Sequence, residues 1–410
     1  MYRIDIVIDK QKRLMKVLYI LHSTLTTGGA TKAVMCLAHG LKEKGVSPVF
    51  LVPDKNGIYA TMLEEGYEVY AFPFRMSIYP SHKSIRDFLL YLPRLMFMIL
   101  LNAIALLRLR QLVIKVRPDI IHTNTSVLDI GRIVAKWTDI PHVQHVREYG
   151  DKDFSMEYFP TYNYAHRSMC DFNACNICIT KGIRDYHGFT EKTNATVVYD
   201  GVYPQLSSMP GNFKKNYFLY AGRIEYGKGV DLLLKAYKEY TNKVENPIPL
   251  KIAGGVSDVA YYDGIKNYIT ENQLDSYVTM LGVIGNIERL MQEARALVIP
   301  SRSEGFGFCM PEAMFNGCLC IGHDKAGTKE QLENGLEYSG GNIALSYDTT
   351  EELTNRLIEV HGSDDEHWRE MKKRAFNTVN NLYTQNHAVE TVLEIYRMVI
   401  SRKVDNSCNI

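Results

Sequence analysis

The sequence predicts an α/β protein built from two doubly wound, Rossmann-like domains that face each other across a cleft. Three observations support this fold class. Apolar runs of strand length alternate with stretches of helical length, the alternation begins again at Tyr217, and several runs end in glycine-rich turns. Alternating strands and helices form a mostly parallel sheet that is covered on both faces. The 410 residues are enough for two or three domains, each with its own core.

The predicted strands fall into two series. In the first series, strands are expected at residues 17–21, 48–52, 67–72, 119–123, 142–145 and 174–180. In the second series, strands are expected at residues 217–223, 249–255, 277–282, 294–300 and 319–322. A polar segment with Pro204 and Pro210 separates the two series, and such residues mark turns and linkers. We therefore expect one domain over residues 15–203, a second over 204–386, and a last helical segment with a tail over 387–410.

Residues 1–14 precede the first predicted strand, and we interpret them as an N-terminal extension. Charged residues are spread through this stretch, which lacks the apolar core of a signal peptide. This pattern favours a cytoplasmic protein. Ile4, Ile6 and Ile8 alternate as they would in an edge strand, so a strand in this stretch stays an alternative.

The net charge and the cysteine content limit the classes of partner and site that the sequence favours. The net charge of +1 at pH 7 does not favour nucleic acid as a partner. Among eight cysteines, Cys170, Cys175 and Cys178 come closest to a metal cluster, but no second pair or suitably spaced histidine accompanies them. We interpret them as reduced, buried thiols of a cytoplasmic protein, with a metal site as the alternative.

A glycine-rich corner follows the first predicted strand. Gly28 and Gly29 stand between that strand and a stretch rich in Ala, Val and Leu that predicts a helix. A strand that turns into a helix in this way brings backbone N–H groups to a place where phosphate can bind. The spacing is not G-x-G-x-x-G, which disfavours an oxidoreductase that binds a dinucleotide. The two glycines either face a ligand or simply form a tight turn.

Residues 300–320 carry the most chemical information in the chain. Glu304 and Glu312 lie eight positions apart, around a turn with Gly305 and Gly307 that leads into a short predicted helix. A carboxylate at a helix start suits the paired hydroxyls of a ribose, because each oxygen accepts a hydrogen bond. The glycines allow backbone N–H groups to approach a ligand closely. Two incidental acids at a buried corner are the alternative.

This segment resembles the nucleotide-sugar signature of the family-four retaining glycosyltransferases, which have the GT-B fold. The family pattern has two glutamates separated by seven residues, Gly-Phe-Gly after the first and Pro before the second, and every position is matched. The resemblance implies that Glu312 holds the ribose, and that Glu304, Phe306, Gly307 and Phe308 line the sugar site. It also implies a nucleotide-sugar donor, UDP- or GDP-hexose, and transfer with retention that needs neither metal nor other cofactor.

A second motif opens the second series of strands. Gly222 and Arg223 end its first strand, and Lys228 follows shortly before a predicted helix. Two cations at this place suit a diphosphate and stabilise the charge that develops as a nucleoside diphosphate departs. The Gly-Arg and Lys-Gly pairs of the family are matched, with Gly229 as the last glycine. The resemblance therefore implies that Arg223 and Lys228 bind the diphosphate, while two solvated loop charges are the alternative.

Other positions gain a role only from the resemblance. His145, at the end of a predicted strand, corresponds to a histidine that reaches the donor sugar, and Val283 corresponds to a backbone contact to the base. Arg147 and Glu148 form either a local ion pair or acceptor contacts. Gly28 and Gly29 match the glycine loop that faces the cleft. Ala326 stands where the family has a glycine, a departure that we expect to matter little, and the last helix is expected to cross back to the first domain.

An apolar, basic segment lies in the first half. Residues 95–107 contain one polar residue, Asn102, and a helix of that length spans roughly 20 Å, short of a bilayer core of about 30 Å. Residues 81–117 hold seven Lys or Arg and one Asp, a net charge of 7 − 1 = +6. This pattern suits an anionic membrane surface. A helix packed on its own sheet and a membrane-spanning helix are the alternatives.

The predicted reaction moves a hexosyl group to a saccharide acceptor, and analogy with the family favours a lipid-linked acceptor in exopolysaccharide or capsule synthesis at the inner face of the membrane. Asp151 and Asp153 have the spacing of a metal motif but not its sheet-end setting. The mechanism is either front-side attack or a covalent intermediate on Glu304. A nucleotide-sugar epimerase and a binding protein without catalysis are the alternative functions.

Overall fold

The structure is a computed structural model. It describes residues 14–25, 28–150, 157–171, 174–189, 195–211 and 215–407. The expectations for residues 1–13, Asp151 and Asp153 lie outside these residues.

Strands and helices alternate along the first part of the chain, as the sequence predicts. The elements are β1 (Met15–Ile20), α1 (Gly29–Glu43), β2 (Val46–Val52), α2 (Ile58–Glu64), β3 (Glu68–Ala71), α3 (Ile85–Leu89), α4 (Tyr91–Val116), β4 (Ile120–Thr123), α5 (Ile130–Thr138), β5 (His142–Val146), α6 (Tyr162–Met169), β6 (Ala174–Cys178), α7 (Lys181–Tyr186) and β7 (Ala195–Val197). The six predicted strands of this part are all found. β7 is not predicted, because three residues are too few for a recognisable pattern.

The second part repeats the alternation. Its elements are β8 (Phe218–Ala221), a 3₁₀ turn (Tyr226–Lys228), α8 (Val230–Lys243), β9 (Leu250–Ala253), α9 (Val259–Glu271), β10 (Val278–Gly282), α10 (Ile287–Glu293), β11 (Ala296–Ile299), α11 (Cys309–Phe315), β12 (Cys320–His323), α12 (Ala326–Ser339), β13 (Leu345–Tyr347), α13 (Thr350–Gly362), α14 (Arg369–Leu382) and α15 (Gln385–Ser407). The predicted strands are again found, and the short β13 is again missed.

Both sheets are parallel, and in each the first strand lies inside the sheet. Within the described residues the strand orders are β3-β2-β1-β4-β5-β6-β7 and β10-β9-β8-β11-β12-β13. In the second sheet Phe218 of β8 pairs with Leu250 of β9 on one side and with Ala296 of β11 on the other. The strand order therefore reverses between β8 and β11, and ligands of open α/β sheets bind outside the carboxyl ends of strands at such a point.

Two compact units divide the chain. One contains the described residues up to His145, Arg167–Cys175 and the residues from Leu393 onward; the other contains Val146–His166 and Asn176–Val392. Each unit has an apolar core between its sheet and its helices, with Leu18 and Ile121 in the first and Leu250 and Val298 in the second. The domain boundaries expected from the sequence stay predictions.

The apolar segment predicted at residues 81–117 forms α3 and α4. Pro93 lies in the first turn of α4, where a missing N–H does not interrupt the helix. The C-terminal half of α4 packs into the core of the first unit through Leu109, Leu112 and Val116. Asn102 is tied down, because its side chain accepts from the Arg75 N–H at 2.8 Å and donates to the Arg75 carbonyl at 3.0 Å. By length and composition alone, α4 could cross a bilayer.

Two of the three clustered cysteines are buried, as the sequence predicts, and Cys170 is partly exposed. Among the described residues, Cys170, Cys175 and Cys178 form no disulfide, and the latter two are buried. Burial raises the pKa of the Cys175 thiol to about 11, so that it stays protonated at neutral pH. In the described parts of the chain, no three His, Cys, Asp or Glu residues are grouped as metal ligands.

His142 predicts a pH dependence of stability. Its buried ring bonds to the Thr123 hydroxyl, and burial together with the Arg132 charge lowers its pKa to about 3. The unfolded chain gains a proton on this ring below about pH 6.5, whereas the folded chain does not. We therefore expect acidification from about pH 7.5 to about pH 5 to lower the free energy of unfolding by about 2 kcal/mol through His142 alone.

The measurement is urea unfolding of the wild type and of His142→Gln, which keeps a polar group for Thr123, at both pH values. The variant should lose less stability on acidification by that amount. Equal losses in the two proteins would show that His142 titrates normally in the folded state.

Candidate functional site

The candidate site lies at the carboxyl end of the second sheet, within the second unit. The loop after β8 carries Gly222, Arg223 and Lys228, and the loop after β11 carries Glu304. Because β8 and β11 are parallel neighbours, both loops leave the sheet at the same edge. The structure thus brings together residues that the sequence analysis took from two separate motifs.

The contact that joins the two loops is an ion pair. The Lys228 ammonium donates to both carboxylate oxygens of Glu304, each at 2.7 Å. The Ser301 hydroxyl also donates to Glu304 Oε1 at 2.7 Å. Glu304 is buried and Lys228 is largely buried, so these bonds are screened little by water. Both oxygens of Glu304 therefore accept a hydrogen bond, and the side chain is fixed in place.

Gly229 is required by the close packing of these loops. It has a φ of 68°, in the left-handed region, and a Cβ at this position would lie 2.0 Å from the Pro300 carbonyl oxygen. Any other residue would push the lysine loop away from the loop of Glu304. The Lys-Gly pair of the sequence motif thus has a structural reason of its own.

Arg223 is the more open of the two cations. Its side chain is 45% exposed and pairs with Glu225 at 3.0 Å. Its backbone carbonyl accepts from the Tyr220 hydroxyl at 2.7 Å, which fixes the loop while the guanidinium stays accessible. A pair this exposed adds little to stability, so the guanidinium is available to an incoming anion.

A second link between the loops was missed from the sequence. The Arg302 guanidinium binds both oxygens of Asp231, at 2.8 and 2.7 Å, and lies over the Tyr226 ring at 4.0 Å. Arg302 also donates to the Tyr226 carbonyl at 2.7 Å. Burial raises the pKa of Asp231, but hydrogen bonds from Arg302 and Tyr261 lower it further, so the pKa lies below its usual value. The pair joins positions 71 residues apart, so nothing local in the sequence marks it.

Glu312 occupies the first turn of α11, where a carboxylate is stabilised by the helix dipole. It is partly exposed, and its charge adds to burial in raising the pKa of Tyr203. In the same helix, burial and the nearby Glu304 charge raise the pKa of the Cys309 thiol to about 12. Cys309 is therefore a neutral thiol between two carboxylates.

The Gly-Phe-Gly turn is fixed by its backbone and by one aromatic cluster. The Phe306 ring is 2% exposed and packs against Tyr199, Phe308 and Tyr383. Its carbonyl accepts from Gln331 at 2.6 Å, and Gly307 adopts a φ of 84°. The Phe306 side chain therefore anchors the turn, and the role of this residue in a sugar site stays a prediction.

The N-terminal turn of α12 packs against the Gly-Phe-Gly turn and hydrogen-bonds to its backbone. The Gly327 N–H donates to the Glu304 carbonyl at 3.0 Å, and a Cβ on Gly327 would lie within 3 Å of three carbonyls of the turn. Ala326 has a φ of 48°, a region that favours glycine. The expectation that this departure matters little needs correction, because a non-glycine residue there carries about 1 kcal/mol of strain.

Glu330 has a structural role that the sequence analysis did not identify. Its carboxylate accepts from the backbone N–H groups of Lys181 and Gly182, at 2.6 and 2.8 Å, and from the Tyr199 hydroxyl at 2.8 Å. It thus fills the N-terminus of α7 and connects this helix to α12. The anion-binding capacity of that helix end is used within the protein.

The remaining predicted residues lie in other places. Val283 follows β10 and is well exposed. Gly28 and Gly29 form the start of α1 in the first unit, as the predicted corner requires. His145 is buried in β5, also in the first unit, and its ring centroid lies 5.4 Å from that of His122. Their ligand roles stay predictions.

The ion pair of Arg147 is not the local one considered above. Its guanidinium donates to Asp200 at 2.6 Å, and both side chains are about 5% exposed. The Arg147 N–H donates to the Glu148 carboxylate at 3.2 Å. The buried partner lies 53 residues away, and no local sequence pattern marks a pair at that separation.

Comparison with known families identifies the chain. Residues 28–199 match the model of a glycosyl transferase 4-like domain, and residues 208–378 match the model of the glycosyl transferases group 1. The second match contains both loops of the candidate site. The chain belongs to the group 1 glycosyltransferases. The enzyme class predicted from the sequence is confirmed at this level.

Individual relatives of this glycosyltransferase are distant. An uncharacterized glycosyltransferase of Methanocaldococcus jannaschii is 25% identical over 251 residues, which are 60% of this chain and 66% of that protein. The UDP-Gal:alpha-D-GlcNAc-diphosphoundecaprenol alpha-1,3-galactosyltransferase of Escherichia coli is 24% identical over 318 residues, 73% of this chain and 80% of that protein. The structure of Anabaena HepE in complex with UDP has a TM-score of 0.72 at 18% identity and covers 94% and 100% of the two chains. This likeness confirms the GT-B fold.

The Arg302–Asp231 pair yields a prediction about the site. Arg302→Lys keeps the charge but loses the two-pronged contact and the stacking on Tyr226, so we expect a loss of about 1 kcal/mol in the free energy of unfolding. The measurement is urea unfolding. Arg369→Lys, which weakens the exposed pair with Glu366, is the matched control and should change stability by less than about 0.5 kcal/mol. Equal effects would mean that Arg302 does not join the loops.

Proposed function

We propose that this glycosyltransferase moves a hexosyl group from UDP- or GDP-hexose to a lipid-linked saccharide, with retention at the anomeric carbon, in the synthesis of a surface polysaccharide. The observation that carries the donor half of the proposal is the arrangement of Arg223, Lys228 and Glu304 at one sheet edge. The match to the family-four signature supports retention. Membership in the glycosyltransferases favours neither the epimerase nor the binding protein.

In the proposed donor complex, Arg223 and Lys228 bind the diphosphate. An ammonium has three N–H donors, and Glu304 accepts two, so Lys228 can keep Glu304 and also bind a phosphate oxygen. Arg223 exchanges its exposed partner Glu225 for phosphate. These two fixed cations stabilise the charge that forms on the leaving diphosphate, a role for which we propose no metal.

Glu312 is the proposed ribose ligand, with one hydroxyl on each carboxylate oxygen. Its place at the start of α11, a short distance along the chain from Glu304, supports a donor that lies across the turn between the two glutamates. The exposed Val283 is the proposed backbone contact to the base. A complex of HepE with UDP shows that a related fold binds this nucleotide, which favours UDP-hexoses as the first donors to test.

For the chemical step we favour front-side attack over a covalent intermediate. Both oxygens of Glu304 accept hydrogen bonds, from Lys228 and Ser301, and such bonds withdraw electron density from a carboxylate. A carboxylate held in this way is a poor nucleophile. The leaving phosphate, near Lys228 and Arg223, would instead accept the proton of the attacking hydroxyl as the new glycosidic bond forms.

The acceptor rests on analogy. The Escherichia coli relative acts, by its name, on a sugar linked to diphosphoundecaprenol, and we propose an acceptor of that class at the cytoplasmic face of a membrane. A role in capsule or exopolysaccharide synthesis follows from such an acceptor.

The donor site is tested by nucleotide release. Purified protein is incubated with UDP-hexoses and GDP-hexoses singly, and free nucleotide is measured by mass spectrometry. We expect release from one donor, reduced about 100-fold in Arg223→Ala. This substitution is preferable to removal of Lys228, which would leave the buried Glu304 carboxylate unpaired. Arg289→Ala, which removes an exposed arginine paired with Glu293, is the control and should keep full activity. Unchanged release in Arg223→Ala would refute the proposed binding of the diphosphate by Arg223.

The choice between the two mechanisms is tested by Glu304→Gln. The amide keeps an acceptor for Lys228 but cannot be a nucleophile, so we expect front-side transfer to fall only about 10- to 100-fold. The measurement is kcat for transfer at saturating donor, with circular dichroism to check the fold. A loss of many orders of magnitude, together with a trapped glycosyl-enzyme in the wild type, would establish the covalent route instead.

A further inference from the structure

One surface of the first unit is apolar over an unusual length. We define the outer face as the solvent-facing side chains of α3 and of residues 91–107 of α4. Its most exposed members include Ile85, Phe88, Leu92, Met96, Leu100 and Leu107, which are between 62 and 84% exposed. Soluble proteins rarely leave large contiguous apolar surfaces open to water, and such surfaces mark interaction sites.

The outer face is presented by a helix that cannot turn it inward. Leu92, Met96 and Leu100 lie four residues apart, so they share one side of α4. The opposite side packs into the core through Ala105, Leu109 and other buried residues. Asn102 fixes the middle of the helix to the Arg75 backbone at 2.8 and 3.0 Å. The apolar surface is therefore a fixed feature of the fold.

Positive charge borders the outer face at both ends. Lys83 precedes it, Arg86 lies in the first turn of α3, Arg108 and Arg110 follow it, and all four are exposed. Within the described residues 81–117 there are seven Lys or Arg and one Asp, a net charge of 7 − 1 = +6. The one carboxylate, Asp87, is neutralised by Arg94 at 2.6 Å. The border therefore offers cations to a partner.

We propose that the outer face docks the protein on an anionic phospholipid surface, with the axis of α4 in the plane of the membrane. Apolar side chains enter the acyl boundary, and the basic border binds lipid phosphates. A second copy of the chain would bring two segments of charge +6 together, which disfavours a dimer through this face. A spanning helix would have to remove Leu109 and Leu112 from the core. This docking does not depend on the donor or acceptor proposed above.

The test is sedimentation of the full chain with vesicles. We expect binding to vesicles of phosphatidylcholine with phosphatidylglycerol, weaker binding at high salt, and little binding to phosphatidylcholine alone. The double variant Met96→Glu/Leu100→Glu should lower the partition coefficient about tenfold or more. Arg108→Ala/Arg110→Ala should lower it about fivefold for each arginine removed. Phe97→Trp should add fluorescence that brominated acyl chains quench.

The matched control is Leu336→Glu/Tyr338→Glu, which places two acids on an exposed apolar pair of α12. It should bind vesicles as the wild type does, and circular dichroism and thermal unfolding should show that all variants are folded. Equal binding by the Met96→Glu/Leu100→Glu variant, or no binding of the folded wild type to anionic vesicles, would overturn the proposal. A dimer in light scattering that this double variant abolishes would assign the face to a second copy instead.

Discussion

The site depends on the charge pair between Lys228 and Glu304. It joins the loops of two neighbouring strands, it places a cation beside a carboxylate at the point where the strand order reverses, and it is largely buried. Removal of one partner would leave the other charge buried and unpaired, which destabilises a fold by several kcal/mol. The surrounding contacts stabilise this arrangement: Ser301 binds Glu304, and the Arg302–Asp231 pair joins the segments that carry Lys228 and Glu304.

The helix α12 also stabilises the turn that follows Glu304. Gly327 and Gln331, in the first turns of α12, donate to the carbonyls of Glu304 and Phe306. Glu330, from the same helix, binds the N-terminus of α7 through two backbone N–H groups. The single helix α12 therefore positions both the turn that follows Glu304 and the N-terminus of α7. A change in α12 would reach the site through backbone geometry rather than through direct contact with a ligand.

The sequence predicted what local pattern controls. Strand-length apolar runs, the glycine corners and the acidic turn are all local, and they located Lys228 and Glu304 on sheet-edge loops. It did not predict their partners, because the pairing of β8 with β11 joins segments about 76 residues apart and no local pattern specifies it. The exposed face of α4 was ambiguous for a different reason. Apart from Asn102, residues 95–107 are all apolar, so no periodicity distinguishes a core face from an open one.

The two cations of the site are prepared for an anion in different ways. Arg223 is exposed and holds Glu225 weakly, so a diphosphate can displace that carboxylate at little cost. Lys228 holds Glu304 firmly, and exchange would bury an unpaired carboxylate. In the proposed donor complex, a diphosphate would therefore share Lys228 with Glu304 and bind Arg223 in place of Glu225. In that proposed arrangement Lys228 would bind both the Glu304 carboxylate and a phosphate oxygen of the leaving group, and so orient the bond between the sugar and the diphosphate.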